Sequence, residues 1–366
     1  MVTAERQFLL VEPVANTAYP PLGLMKISTW LKKRYPGART CGTVGTEIPP
    51  TLHVPHAIYV TSLFTWHLDK VVKVINFYAD RFPGADIKVG GIAASLLPSE
   101  IESATGIRPH VGLVRGAEKC CPDYSLTFGR TLQASITFAS RGCPRKCRFC
   151  SVATHEPEFE VREDWAKDVN PELPRIVFWD NNWLASPSFV KDCATIRRLN
   201  KIVDFNQGLD ARLYDRAAAK ELATINLSPI RFAFDNVGME DALMKAIRLA
   251  RSNSTEEIRA YVLYNFNDTP EDLYYRIDLL NRNRVLAFPM EYRRPIASKT
   301  KFPGPHWNSP LLRALKLSLL FYYRRGMITE SRKSFHSIYG KSAKAFVDRL
   351  YAIYEYDKSL KRSRVH

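Results

Sequence analysis

The chain has 366 residues, 46% of them hydrophobic and 25% charged, the balance of a globular protein with room for two domains and a helical appendage. It holds no run of about 18 apolar residues, which argues against a membrane span, and Met1-Val-Thr-Ala-Glu-Arg6 lacks the layout of a signal peptide. The net charge of +16 is uneven: residues 301–366 hold 14 Lys/Arg against 4 Asp/Glu, whereas residues 131–300 hold 25 against 23, so the tail suggests nucleic acid first and a membrane surface second, against the plainer reading of a solvated basic face.

The first 125 or so residues read as alternating strands and helices. Phe8–Val11 is a short apolar strand, and Pro20-Pro21-Leu-Gly-Leu opens a helix that runs to Leu31, with proline in the first turn where a missing N–H costs little. Ala57–Phe64 reads as a buried strand and His67–Phe82 as an amphipathic helix. Asp86–Val89 is a strand leading into Gly90-Gly91, with a further helix near Pro98–Ser103. Such alternation argues for a parallel sheet covered on both faces. Val111–Gly116 to Pro122-Asp-Tyr124 reads as a linker into a second domain, which begins with a strand at Leu132–Phe138.

That strand delivers Arg141-Gly142-Cys143-Pro-Arg-Lys-Cys147-Arg-Phe149-Cys150, a C-x3-C-x2-C spacing with an aromatic residue before the last cysteine. Three closely spaced thiolates can hold three irons of a 4Fe–4S cube and leave the fourth iron open to a small molecule. A fully ligated cluster takes four cysteines, and no fourth lies nearby at a plausible spacing. A structural zinc site with His155 as fourth ligand is the alternative. The remaining Cys41, Cys120, Cys121 and Cys193 are scattered and read as small buried hydrophobes. Seven cysteines without a disulfide framework suggest a reducing, cytoplasmic setting.

Apolar runs then recur, each ending in polar residues: Arg175–Trp179 before Asp180-Asn181-Asn182, Val203–Phe205 before Asn206-Gln207-Gly208, and Ile230–Phe234 before Asp235-Asn236. Ala260–Tyr264 runs into Asn265 to Asp268, and Ala287–Tyr292 into Arg293-Arg294. Repeated βα units of this length suggest a partial (β/α) barrel with a polar upper rim. After Lys301-Phe-Pro-Gly-Pro305, Ser309-Pro310 reads as an N-cap and first helical residue. Leu311–Tyr323 then forms a helix ending at Arg324-Arg325-Gly326, where cations and a glycine suit a helix end. A second basic helix is expected over Ser342–Tyr356, with Phe346, Leu350 and Ile353 on one face. Tyr339, Tyr351, Tyr354 and Tyr356 either stack on bases or, as we expect, pack this appendage on the barrel.

The cysteine loop resembles the signature of the radical SAM superfamily, in which S-adenosylmethionine (SAM) occupies the open iron. The resemblance implies a six-strand partial barrel and reductive SAM cleavage to methionine and a 5′-deoxyadenosyl radical that abstracts hydrogen. It also implies a one-electron reductant such as flavodoxin or ferredoxin. The Pro-Pro-Leu-Gly-Leu and Val-Gly-Gly-Ile pieces resemble the Rossmann-like cobalamin-binding domain that precedes the radical core in one large subclass. The D-x-H-x-x-G motif that supplies a cobalt-ligating histidine is absent, so cobalamin is a further candidate cofactor rather than a required one. The implied division is 1–125 for the cobalamin-binding-type domain, 126–300 for the barrel and 301–366 for a basic helical region.

By strand order the resemblance places Asp180, with Asn181 beside it, at the SAM amino group, although the usual glycine-glycine-glutamate is absent there. It places Gln207 and Asp210 at the ribose, Asn265 and its turn toward the adenine, and Phe149 beside the adenine. Cys143, Cys147 and Cys150 are the implied iron ligands. Tyr261, Tyr264 and Tyr292 read as core aromatics, with substrate contact or late hydrogen transfer as the alternative. The first functional reading is a radical SAM enzyme modifying a nucleic acid or nucleotide-containing substrate. The second is a cobalamin-dependent methylase or rearrangement enzyme acting on a peptide or small metabolite. A non-catalytic Fe–S or zinc nucleic-acid-binding protein is the third. A methylthiotransferase would need a second cysteine trio, which Cys41, Cys120 and Cys121 make poorly.

Overall fold

The computed structural model describes residues 6–15, 17–295, 302–323, 326–328 and 331–363. Residues 1–5, Lys301, and Arg324 and Arg325 at the expected helix end lie outside the described residues. The chain divides into two compact units, 1–176 with 295–299 and 177–294 with 300–366.

The first unit begins β1 (Gln7–Glu12), α1 (Leu22–Arg34), β2 (Arg39–Val44), β3 (Ala57–Thr61), α2 (Leu68–Arg81), β4 (Asp86–Gly90), and continues with short helices α3 (Ile92–Leu96), α4 (Pro98–Thr105) and α5 (Arg115–Glu118). Its four strands form a parallel sheet in the order β2-β1-β3-β4. All six residues of β1 are buried, because a central parallel strand is covered on both faces and alternates apolar contacts between them. Leu9 and Val11 pack with Ile58, Val60 and the Val71, Val74, Ile75 and Tyr78 face of α2. Phe8 and Leu10 turn the other way, onto Leu24, Met25 and Leu31 of α1. Strand β2 is unexpected from sequence. Arg-Thr-Cys-Gly-Thr-Val is a polar edge with a single buried residue, so it carries no hydrophobic period.

This unit goes on through β5 (Ala134–Thr137), β6 (Ser140–Arg141), α6 (Val152–His155) and β7 (Glu160–Val161). The short β6 and β7 pair antiparallel and flank the cysteine loop.

Strand β8 (Arg175–Phe178) carries the chain into the second unit, followed by α7 (Phe189–Leu199), β9 (Ile202–Phe205), α8 (Arg216–Leu222), β10 (Ile230–Ala233), α9 (Glu240–Asn253), β11 (Ile258–Tyr264), α10 (Pro270–Arg282) and β12 (Leu286–Glu291). The strands follow one another in space as in sequence. Asn206 N–H donates to the Phe178 carbonyl at 3.0 Å, Leu209 N–H to the Arg231 carbonyl at 2.7 Å, and β10, β11 and β12 are paired in parallel register. The α/β architecture with parallel sheets is the one expected from the sequence.

Three helices complete this unit: α11 (Ser309–Tyr322), α12 (Arg332–Tyr339) and α13 (Ala343–Ser363). The N-cap of α11 is Asn308 rather than Ser309, because the longer amide side chain reaches the Leu311 N–H at 2.9 Å. Helix α12 is also absent from the sequence reading. Its Phe335 joins Phe346 of α13 around Tyr274 of α10, with centroids 5.5 and 5.7 Å from that ring. Phe346 and Leu350 are buried, as is Tyr339, whose hydroxyl lies 2.7 Å from that of Ser318. Tyr339 therefore packs the appendage down, while Tyr351 and Tyr356 stay exposed. Among the described residues no helix is long and apolar enough to cross a membrane.

Candidate active site

The cysteine loop is gripped at its base. Arg141 stacks its guanidinium 3.4 Å over the Phe138 ring, pairs with Glu118 at 2.7 Å and reaches Glu156 at 3.3 Å. Glu156 in turn accepts the Gly142 N–H at 2.8 Å. Burial would raise the Glu118 carboxyl, but Arg141 and Lys26 outweigh it and hold it below the ordinary carboxylate range. Gly142 sits at φ +70°, and a Cβ there would lie 2.0 Å from the Glu158 carbonyl oxygen, so only glycine fits this turn. Beneath the loop, buried Asp168 takes Lys26 at 3.2 Å and is also paired with Arg162.

Beyond this base the three cysteines differ in exposure. Cys143 and Cys147 are half-buried and Cys150 is exposed, with the Cys150 N–H closing a turn on the Cys147 carbonyl at 3.0 Å. Among the described residues no three His, Cys, Asp or Glu side chains converge on one ion position. His155 is buried, with Nδ1 donating to the Ser151 carbonyl at 2.9 Å. Desolvation pushes its imidazole below the usual range, against the pull of Glu156. Phe149 is half-buried two residues from Cys147.

In the second unit the other expected residues sit past the strand ends. Asp180 is buried and Asn181 half-buried after β8, while Gln207 is exposed after β9. Asp210 is tightly held: Arg212 donates Nε to Oδ1 at 2.7 Å and Nη2 to Oδ2 at 3.1 Å, and Asn182 donates Nδ2 to Oδ2 at 3.3 Å. Asn265 adopts φ +69° and is buried. Its Nδ2 donates to the Tyr292 and Phe302 carbonyls at 3.1 and 3.3 Å, and its Oδ1 accepts the Gly304 N–H at 2.6 Å. That amide is spent on the backbone, fastening the ends of β11 and β12 to the segment after them. Tyr261 donates to the Asn206 carbonyl at 2.7 Å, and Tyr264 is buried against Trp307. Both serve the core.

Three residues here escaped the sequence reading as site members. Asn182, buried, leaves its Oδ1 without a partner. Burial pushes the half-buried Asp235 carboxyl up to about 6, against Arg276 and Arg212. Fully buried Arg276 on α10 donates to the Phe234 and Leu263 carbonyls, each at 2.8 Å, and to Asp268 at 2.8 Å. It ties the ends of β10 and β11 together. Asp235 was visible as a strand-end carboxylate, but nothing in a helix pattern marks Arg276 as a buried cation.

The sheet of the first unit has a different rim. At the carboxyl ends of β3 and β4, Gly91 takes φ +109°, and a Cβ there would lie 2.5 Å from the Ser62 carbonyl oxygen, so glycine suits the position. Ser62 is buried with its hydroxyl unpartnered. Around it Leu63, Trp66 and Ile92 expose 42%, 37% and 38% of their surface, and Phe64 stacks on Trp66 at 4.5 Å. Apolar side chains gathered at the carboxyl end of a parallel sheet lie where ligands of open α/β folds bind.

No family model matches the sequence, and no curated protein matches it. Solved structures do. A radical S-adenosylmethionine methyltransferase, TsrM, from Kitasatospora setae, with cobalamin and a 4Fe–4S cluster bound, aligns with TM-score 0.63 at 14% identity, over 80% of this chain and 77% of that one. SuiB from Streptococcus suis, bound to the precursor peptide SuiA, aligns with TM-score 0.38 at 16% identity, over 54% and 48%. The chain has the fold of the first.

Proposed function

We propose that this chain is a radical SAM enzyme. The observation that carries the reading is the C-x3-C-x2-C loop, clamped at its base through Arg141, in a chain with the fold of TsrM. Residues 1–125, 126–300 and 301–366 would be its cobalamin-binding-type, radical and helical parts. Cys143, Cys147 and Cys150 would each bind one iron, and the Arg141–Glu118–Glu156 network keeps the loop in place for them. When bound, the cluster and SAM supply the one-electron cleavage that yields methionine and a 5′-deoxyadenosyl radical.

The chain's own residues would orient the cofactor. Phe149 offers a ring face for the adenine. Asp180 offers a buried carboxylate to the SAM amino group, with Asn181 beside it. Gln207 is free to reach a ribose hydroxyl from an exposed position. Asp210, already held by Arg212 and Asn182, would accept from a ribose hydroxyl without having to reorganise. Asn265 would act through the turn it fixes. A flavodoxin or ferredoxin in a reducing cytoplasm would deliver the electron.

Two substrate readings remain, and the side chains favour them unequally. The nucleic-acid reading rests on the basic tail, yet Lys344 pairs with Asp348, Lys358 with Glu355, and both Arg313 and Lys361 with Asp357. Those pairs engage four of the tail's 14 cations, and its net excess of positive charge remains. A cobalamin-dependent methylase or rearrangement enzyme gains from the exposed apolar collar of Leu63, Trp66 and Ile92.

The test is anaerobic reconstitution followed by measurement of 5′-deoxyadenosine, with SAM alone and with cobalamin, tRNA or DNA added. Cleavage supports the radical reading, and stimulation by one addition identifies the substrate or cofactor class. A reconstituted cluster with no cleavage in any mixture overturns it.

A further inference from the structure

Helix α11 departs from the pattern of a surface helix. Its inner face is buried through Leu311, Leu312, Leu315 and Leu319. Its outer face follows the three-and-four spacing through Arg313, Lys316, Leu317, Leu320 and Phe321. The first half of that face is cationic, as water requires. The second half leaves 68% of Leu320 and 82% of Phe321 exposed among the described residues, beside an exposed Tyr322. Two cations border this apolar tip. Lys316 stands one turn before Leu320, and the Arg349 guanidinium of α13 lies 3.5 Å from the Tyr322 hydroxyl. Neither makes an ion pair among the described residues. The acids of α13 are engaged by other cations: Asp348 by Lys344, Glu355 by Lys358, and Asp357 by Arg313 and Lys361.

We propose that this end of α11 docks on an anionic lipid surface, with Leu320 and Phe321 entering the headgroup layer and Lys316 and Arg349 meeting lipid phosphates. The docking is separate from the chemistry of the cysteine loop. Apolar side chains gain by leaving water, and cations beside them gain from a negatively charged surface. Peripheral helices combine both terms and sink their apolar face about 5–10 Å into the interface. The charge decides the occupant. A second copy seated on the same tip would set cations against cations, and a stable pair needs roughly 800 Å² from each partner, far more than this tip presents. Nucleic acid would use the cations and could stack a base on Phe321, but it would leave Leu320 in water.

The test is co-sedimentation of the full chain with vesicles of phosphatidylcholine alone, and of phosphatidylcholine and phosphatidylglycerol in equal parts, at low and high salt. Wild type is expected to bind the anionic vesicles, hardly the neutral ones, and less as salt rises. L320S/F321S should weaken that binding about tenfold, with no change in charge. K316Q/R349Q should weaken it about tenfold at low salt and flatten the salt dependence. All four side chains are exposed, so circular dichroism and thermal unfolding of both variants should match wild type. Equal binding by wild type and L320S/F321S overturns the proposal, as does a wild type that stays in solution with anionic vesicles present. So does a wild-type dimer that L320S/F321S converts to monomer without any vesicle binding, which gives the tip to a second copy. Loss of tRNA retention in K316Q/R349Q with vesicle binding unchanged also overturns it, and gives the cations to nucleic acid.

Discussion

The two units each present the carboxyl ends of parallel strands, and they finish those ends in opposite ways. In the second unit most of these polar groups already have partners, the Asn182 Oδ1 excepted: Asp210 has Arg212 and Asn182, Asn265 has three backbone groups, and Arg276 has two carbonyls and Asp268. In the first unit the sheet ends in exposed Leu63, Trp66 and Ile92 over a buried hydroxyl without a partner. A self-satisfied rim is built before any ligand arrives and holds its geometry when one does. An apolar collar is costly to leave in water and gains by being covered. The difference teaches where to expect pre-set recognition and where to expect ligand-driven burial.

The sharpest way to break this picture lies in the cysteine loop, which belongs to neither style of rim. Cys147→Ala should abolish cluster assembly, read as iron content and visible absorption, and with it all 5′-deoxyadenosine formation. The fold should stay intact by circular dichroism, because Cys147 is only half-buried. A variant that retains full cleavage removes the chemical assignment.

The next largest effect concerns the second unit's rim. Arg276→Met leaves Asp268 as an unpaired buried carboxylate and frees the Phe234 and Leu263 carbonyls, so unfolding stability should fall by about 3–5 kcal/mol. Adding Asp268→Asn should recover part of that loss, since the stranded charge is then gone. Urea denaturation measures both. A cost below about 1 kcal/mol, the scale of a surface pair, would mean that this rim is not held by its buried cation.

The first unit should answer differently. Trp66→Ala removes an exposed ring, so stability should change by less than about 1 kcal/mol. Cobalamin affinity should fall about tenfold, or about 1.4 kcal/mol, when followed by absorbance titration. A wild-type protein that binds no cobalamin, or a variant that binds it fully, would leave the collar as an apolar surface without this ligand.

How much of this was legible in the sequence follows the same divide. Strands such as β1 and β11 announce themselves because burial on a sheet imposes runs or alternation of apolar residues, and helix α2 does so through its 3.6-residue period. The cysteine loop is readable because its chemistry fixes its spacing. Strand β2 is not, because an edge strand can be polar and needs only its neighbour's hydrogen bonds. The Asp210 clamp and the Arg276 tie are also hidden. Each joins residues through side-chain geometry that no local pattern encodes, and Arg276 sits within a helix as an ordinary charged residue would. Asn265 shows the limit most plainly: it follows the end of β11 as the pattern predicts, yet its amide serves the backbone.

Asp235 gives the smallest effect and the most direct reading of the rim's electrostatics. Burial raises its carboxyl from an ordinary aspartate value to about 6, with Asp210 adding to the rise and the guanidinium groups of Arg276 and Arg212 opposing it. The folded state therefore holds this proton more tightly than the unfolded chain does. Its contribution favours folding below about pH 4, declines as pH rises toward 6, and is gone above that. Asp235→Asn keeps the shape and removes the titration. The variant should match wild type near pH 4 and exceed it by about 1 kcal/mol at pH 8, after allowance for the solvent access of a half-buried group. Thermal unfolding across that range checks the sign. If the variant is less stable than wild type at pH 8, Asp235 is ionised and favourably paired, and this part of the rim is as fully satisfied as Asp210.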